Sequence, residues 1–203
     1  MKRNMKKGFT LIELSIVLII IGLIIGGVMK GKDLINSADQ KKVYNTWVKE
    51  WVTAANEYED RTAHVLGDAT VNGGSADSED SFMDFVNLAD NTDVQDRLTA
   101  VGLDYPTSNI AAGNGGSYTV KGKYGKSTVT AVLAADKLNG MAQPENLLYL
   151  GAVPTDVAIA WDMMTDGRTD AAHGRFQMVG ADDTTVWPDA STTHTVNVYM
   201  ELK

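Results

Sequence analysis

A basic leader, residues 1–8, runs directly into the apolar stretch from Phe9 to Met29, in which Glu13 is the sole charged residue. As a helix rising ~1.5 Å per residue, that stretch is long enough to cross the ~30 Å hydrocarbon core of a bilayer. In an ordinary secretory signal the apolar run lies ahead of the cleavage point and is discarded. Here the basic residues end before the run begins, and a cut at Gly8 leaves the greasy helix on the mature chain. Lys2, Arg3, Lys6 and Lys7 favour a cytoplasmic N-terminus and an exported C-terminal domain; Lys30 and Lys32 weaken that asymmetry without reversing it.

Glu13 is the costly residue of the span. An ionised carboxylate in hydrocarbon costs roughly 2.5 to 3.5 kcal/mol on insertion scales, so it must be neutralised, paired or held near the headgroups. Gly22, Gly26 and Gly27 also fall within the span, and Gly22 with Gly26 makes a small-xxx-small spacing that permits close helix packing.

The stretch Lys6, Lys7, Gly8, Phe9, Thr10, Leu11, Ile12, Glu13, Leu14 resembles the prepilin leader of type IV pilins and pseudopilins. The resemblance covers about the first thirty residues. It implies cleavage between Gly8 and Phe9 by a prepilin peptidase, methylation of the new Phe9 amine, and assembly into a helical filament. Glu13 would then lie one turn from the amino terminus, where the amine of one subunit meets the acid of its neighbour and sets the axial register. Gly22 and Gly26 would serve helix packing. The chain departs from many major pilins in having no Pro before Pro106 and no Cys with which to close a C-terminal loop. The Asp-Asp-Gly helix end of some pilin-like proteins is matched only partly, by Thr165-Asp166-Gly167.

Beyond the span, Leu34, Ile35, Ala38, Tyr44, Trp47, Val48, Trp51, Ala55 and Tyr58 recur at helical steps, which predicts one rod from about Phe9 to about Thr62. Trp47 and Trp51 read as core residues of its second half, packed on a sheet. Gly67 to Ser81 reads as a surface loop. Phe82 to Leu103 reads as two short helical pieces parted at Asn91 to Asp93, with Thr92 or Asp93 as cap. Tyr105 to Gly116 is a further loop, and its Gly-rich part lacks the ending of a phosphate loop. Ser117 to Lys123, Lys126 to Ala134, Leu147 to Val153, Arg175 to Val179 and Thr195 to Leu202 read as strands, and Thr155 to Met164 as a short helix opened by Pro154. The expected class is α+β and pilin-like, a long N-terminal helix on a small antiparallel sheet. The expected parts are a cleaved leader (1–8), a membrane and filament-core helix (9–29), and an exported domain (30–203). That domain comprises the helix continuation to about 62, a variable loop region (63–116), and the sheet with the C-terminal region (117–203).

The formal charge is −8, and −12 once the leader is removed, a poor composition for binding phosphate, so nucleic acid is not an expected partner. Lys121, Lys123 and Lys126 make a cluster that reads as a solvated hairpin face. His64, His173 and His194 are isolated, and there is neither a thiol nor a Gly-x-Ser-x-Gly elbow, so enzymatic activity is not expected. No cofactor is implied. Asp162, Asp166 and Asp170 lie among other acids of the C-terminal third and raise a calcium hypothesis, against which stands the ordinary use of Asp in turns and caps.

These readings converge on a structural subunit of a type IV pilus-like filament, held in the bacterial inner membrane and then built into an extracellular fibre. The implied partners are the prepilin peptidase, an assembly platform, and copies of the chain or sister pilins. Two alternatives stand beside it: a pseudopilin of a type II secretion system, forming a periplasmic pseudopilus, and a minor tip pilin acting as a surface or ligand-binding module.

Overall fold

The computed structural model describes residues 9–110 and 115–202. The chain divides into two compact units after Ala38. In the first, helix α1 (Leu11–Val43) begins and runs through Gly22, Gly26 and Gly27 without a break. Every large apolar side chain from Phe9 to Ile35 is exposed. Among the described residues, one helix is long and apolar enough to cross a membrane.

In the second unit, α1 ends at Val43, where burial begins. The backbone then widens into one π-helical turn, Tyr44–Val48, closed by Lys49 N donating to Tyr44 O five residues back, and resumes as α2 (Lys49–Thr62). The extra residue in this turn resets the helical phase just where the buried stripe starts. Tyr44, Trp47, Val48, Trp51, Ala54, Ala55 and Tyr58 all face the core. The helix stops at Ala63, which takes a left-handed conformation (φ 59°) and donates to Glu59 O at 2.8 Å.

The sheet has six antiparallel strands: β1 (Val86–Asn87), β2 (Ser117–Lys121), β3 (Lys126–Asp136), β4 (Glu145–Pro154), β5 (Phe176–Met178) and β6 (Thr195–Glu201). The order is β1-β3-β4-β6-β5, with β2 pairing the other half of the β3 edge. Strand β3 carries Val86 opposite Leu133 at one end and Lys121 opposite Lys126 at the other. Alternation decides which face is buried: Val196, Val198 and Met200 of β6 join Val129, Ala131, Leu133, Leu148 and Leu150 against the helix. Between β4 and β6 the register slips at a bulge around Ala152, whose amide donates to Asn197 Oδ1 at 2.9 Å. Helix α4 (Thr155–Asp166) follows β4 directly and buries Trp161, which donates to Gln40 O at 3.1 Å.

The architecture is α+β and pilin-like. One expected element is corrected. Phe82 to Ala89 carries apolar residues at helical spacing but is not helical: it holds the two-residue strand β1 followed by a turn, with Phe82 and Phe85 exposed and Met83, Val86 and Leu88 buried. Tertiary hydrogen bonds override the local pattern: Met83 N donates to Asn146 Oδ1, Leu88 N to Ala131 O, and the Asp84 carboxylate accepts from Ser75 N and Ala76 N. The second expected piece is helical, α3 (Thr92–Ala100), but its cap is Asn91, whose Oδ1 accepts from Asp93 N and Val94 N.

Candidate functional site

The start of α1 is built by a four-residue device, Thr10-Leu11-Ile12-Glu13. Thr10 N and Thr10 Oγ1 each donate to Glu13 Oε2 at 2.8 Å, and Glu13 N donates to Thr10 Oγ1 at 3.3 Å. This is a capping box, in which Thr and the Glu three residues on satisfy each other's free amides. The carboxylate sits against the positive end of the helix dipole, which offsets part of the cost of placing it in an apolar segment. One oxygen, Oε1, has no partner among the described residues. The sequence reading found Glu13 but missed Thr10, although the Thr-x-x-Glu spacing signals the box. Phe9 is 91% exposed, next to the cap. Gly8, the other half of the expected cleavage site, lies outside the described residues.

Gly22 and Gly26 are open on every side: a Cβ added at either meets nothing within 4 Å. Among the described residues nothing therefore requires glycine there.

The three aspartates raised as calcium ligands are engaged with the backbone of the segment after α4. Asp162 is fully buried, and its Oδ2 accepts from Asp170 N (2.7 Å) and Trp187 Nε1 (2.8 Å) while its Oδ1 has no partner among the described residues. Asp166 accepts from Arg175 N (3.1 Å) and Phe176 N (3.0 Å). Asp170 accepts from Ala172 N (3.1 Å) and His173 N (3.2 Å). Among the described residues, no three acidic or histidine side chains converge as a ligand set. Burial pushes the Asp162 carboxyl up to about 6, with Asp166 and Asp170 adding repulsion; the bonds from Trp187 and Asp170 act the other way. The acids fasten the C-terminal loop to α4 in a chain that has no disulfide to do so.

Gly115, in the stretch read as a loop from Tyr105 to Gly116, proves to be structural. Gly115 O accepts from Trp47 Nε1 at 2.6 Å and from Trp51 Nε1 at 3.0 Å, so one carbonyl satisfies both buried indoles.

Compared with known families, residues 3–29 match the prokaryotic N-terminal methylation motif, the signature of type IV pilins and pseudopilins. The motif belongs to structural proteins, implies processing by a prepilin peptidase and assembly with pilin subunits, and fits anchoring in the inner membrane before assembly. The match spans the N-terminal segment alone. No curated protein and no solved structure matches the chain.

Proposed function

We propose that this chain is a structural subunit of a type IV pilus-like filament, inserted in the inner membrane, cut between Gly8 and Phe9, methylated at Phe9 and polymerised through its N-terminal helix. The observation that carries the reading is an unbroken, wholly exposed apolar helix whose first turn lies inside the methylation motif. Such a helix is stable in lipid, and it is equally stable among identical helices, where burial of the same apolar surface supplies cohesion.

In this reading Glu13 has two functions. Its Oε2 closes the capping box of its own helix. Its free Oε1 receives the amine of a neighbour's Phe9, compensating a charge that would otherwise be buried. The open positions at Gly22 and Gly26 let neighbouring helices approach closely. Residues 1–8 are the leader, 9–29 the membrane and filament-core helix, and 30–203 the exported domain that coats the fibre.

Mass spectrometry of the mature chain tests the processing: the expected N-terminus is an N-methylated Phe9, and a chain beginning at Met1 refutes it. The variant Glu13→Ala is expected to be cut normally and to accumulate unpolymerised in the membrane. Imaging of sheared surface material then separates the finer assignments. Abundant fibres lost on deletion support the pilus subunit, a secretion defect without fibres the pseudopilin, and few copies per fibre with lost adhesion the tip module.

A further inference from the structure

The net charge of the folded unit is concentrated at one end. Residues 57–104 hold twelve Asp and Glu against two Arg. The remaining part of the unit is close to balanced, and Lys41, Lys42, Lys121, Lys123 and Lys126 are all exposed. Two independent axes place these groups at opposite ends.

The first axis runs along the helix. At its start, Asp156 Oδ2 accepts from both Gln40 Nε2 (3.2 Å) and Lys123 N (2.9 Å), so Lys41 and Lys42 share an end with the β2–β3 hairpin. Lys42 and Lys121 line the same hollow. About 25 Å further along, the acidic loops gather on the end of α2: Tyr58 donates to Asn72 Oδ1, Asn72 to Glu79 Oε1, and Arg61 to Val101 O. The second axis is β3, which carries Lys126 opposite Lys121 at one end and the loop strand β1 opposite Val132 and Leu133, about 23 Å away at ~3.3 Å per residue.

Within the unit the hairpin lysines are weakly engaged: Lys123 Nζ lies over the Tyr124 ring, 5.4 Å from its centroid, and is the one of them with an aromatic contact among the described residues. Lys121 and Lys126 stand directly across the ladder from each other, a pairing of like charges that weakens a hairpin. No lysine of the cluster forms an ion pair among the described residues; the pairs there use Arg and His. Asp39 lines the hollow with Lys42 and Lys121, Asp189 lies within electrostatic reach of Lys123, and Asp156 is bound to Gln40 and the Lys123 amide.

We propose that the lysine end of one copy docks on the acidic loop end of the next, so that charge sets the head-to-tail spacing of the exported domains. The inference rests on the filament reading above. In a helical filament all copies point one way, so contacts along the axis are heterologous and bring two different surfaces of the chain together. A unit carrying opposite charges at its ends suits that geometry, since like-charged ends repel when copies lie side by side in parallel or meet end to end in inverted sense.

Charge reversal in the full-length chain tests the docking. Lys121→Glu, Lys123→Glu and Lys126→Glu combined should cut the yield of sheared filament by about tenfold at low salt, as should Asp60→Lys, Asp77→Lys and Asp96→Lys combined. None of these six side chains has a hydrogen bond or ion pair among the described residues, and an unchanged thermal midpoint checks the fold of each variant. Joining both sets in one chain should restore the yield to within about threefold, and half-molar salt should narrow all the differences. A yield unmoved by lysine reversal overturns the docking and leaves the filament reading intact. Loss in both sets without rescue in the joint variant also overturns it. So does a lysine reversal that lowers only binding of the unassembled chain to anionic vesicles, which would assign the patch to lipid headgroups. Absence of any polymer from the unaltered chain overturns the docking and the filament reading together.

Discussion

Asp162 shows what a single buried group imposes on this protein. Its carboxyl is raised to about 6 by burial, whereas an unfolded chain leaves it near 3.8. Between those values the folded state binds the proton and the unfolded state does not, so stability falls as pH rises through the window and the cost is fully present above about 6. The difference amounts to about 3 kcal/mol at neutral pH. Asp162→Asn keeps one oxygen for Asp170 N and Trp187 Nε1 and removes the charge. Urea unfolding of the detergent-solubilised chain should find this variant more stable than the parent at pH 7 and equal to it near pH 4. A variant that still loses stability between pH 4 and 6 would place the effect elsewhere.

Among elements, the sheet depends on a close backbone approach that no periodicity announces. A Cβ on Gly116 would lie 2.1 Å from Leu88 C and 2.3 Å from Ala89 N, and one on Gly115 would lie 2.0 Å from Pro106 O. Gly116 O also accepts from Ala131 N at 2.7 Å, and Leu88 N returns a bond to Ala131 O. The segment is wedged between the β1 loop and β3, with the indoles of Trp47 and Trp51 hanging from the Gly115 carbonyl. Gly116→Ala should therefore destabilise the folded unit by roughly 3 kcal/mol or more, because backbone and not a flexible side chain must move. Thermal unfolding by circular dichroism measures it, and a midpoint within a degree of the parent would contradict the packing. This same wedge explains why Phe82 to Ala89 could not be assigned from pattern alone. Its apolar residues recur at helical steps, yet the amides of Met83, Asp84 and Leu88 donate to Asn146 Oδ1, Gly67 O and Ala131 O, all distant in sequence.

For the whole molecule, acids of opposite behaviour shape the pH profile. Asp170, Asp182 and Asp189 are held below the usual carboxylate range, chiefly by hydrogen bonds from Ala172 N, from the Thr184 hydroxyl, and from Ser191 N respectively. Their contribution is present above the unfolded carboxylate range and is lost as pH falls through their lower folded values. Asp162 acts in the other direction above that range. Stability should thus peak between about pH 4 and 5 and decline on both sides, and the net charge of −8 steepens the neutral limb through self-repulsion. Chemical denaturation at a series of pH values tests this; a maximum above pH 7 would contradict it.

The sequence by itself determined the apolar span, its lone acid, the helical register of Trp47 and Trp51 and strands β2 to β6, because each is written in neighbouring residues at periods of 3.6 or 2. Thr10 was also legible there, in the Thr-x-x-Glu spacing, though only the geometry drew attention to it. Tertiary structure alone decided the π-helical turn at Tyr44, the non-helical course of Phe82 to Ala89, the wedge at Gly115 and Gly116, and the fastening of the C-terminal loop by Asp162, Asp166 and Asp170. Those features depend on partners tens of residues away, whose distance and direction no local period encodes. The separation of charge belongs to both levels: the acids are a run in the chain, but only the fold sets the lysine hairpin at the end opposite them.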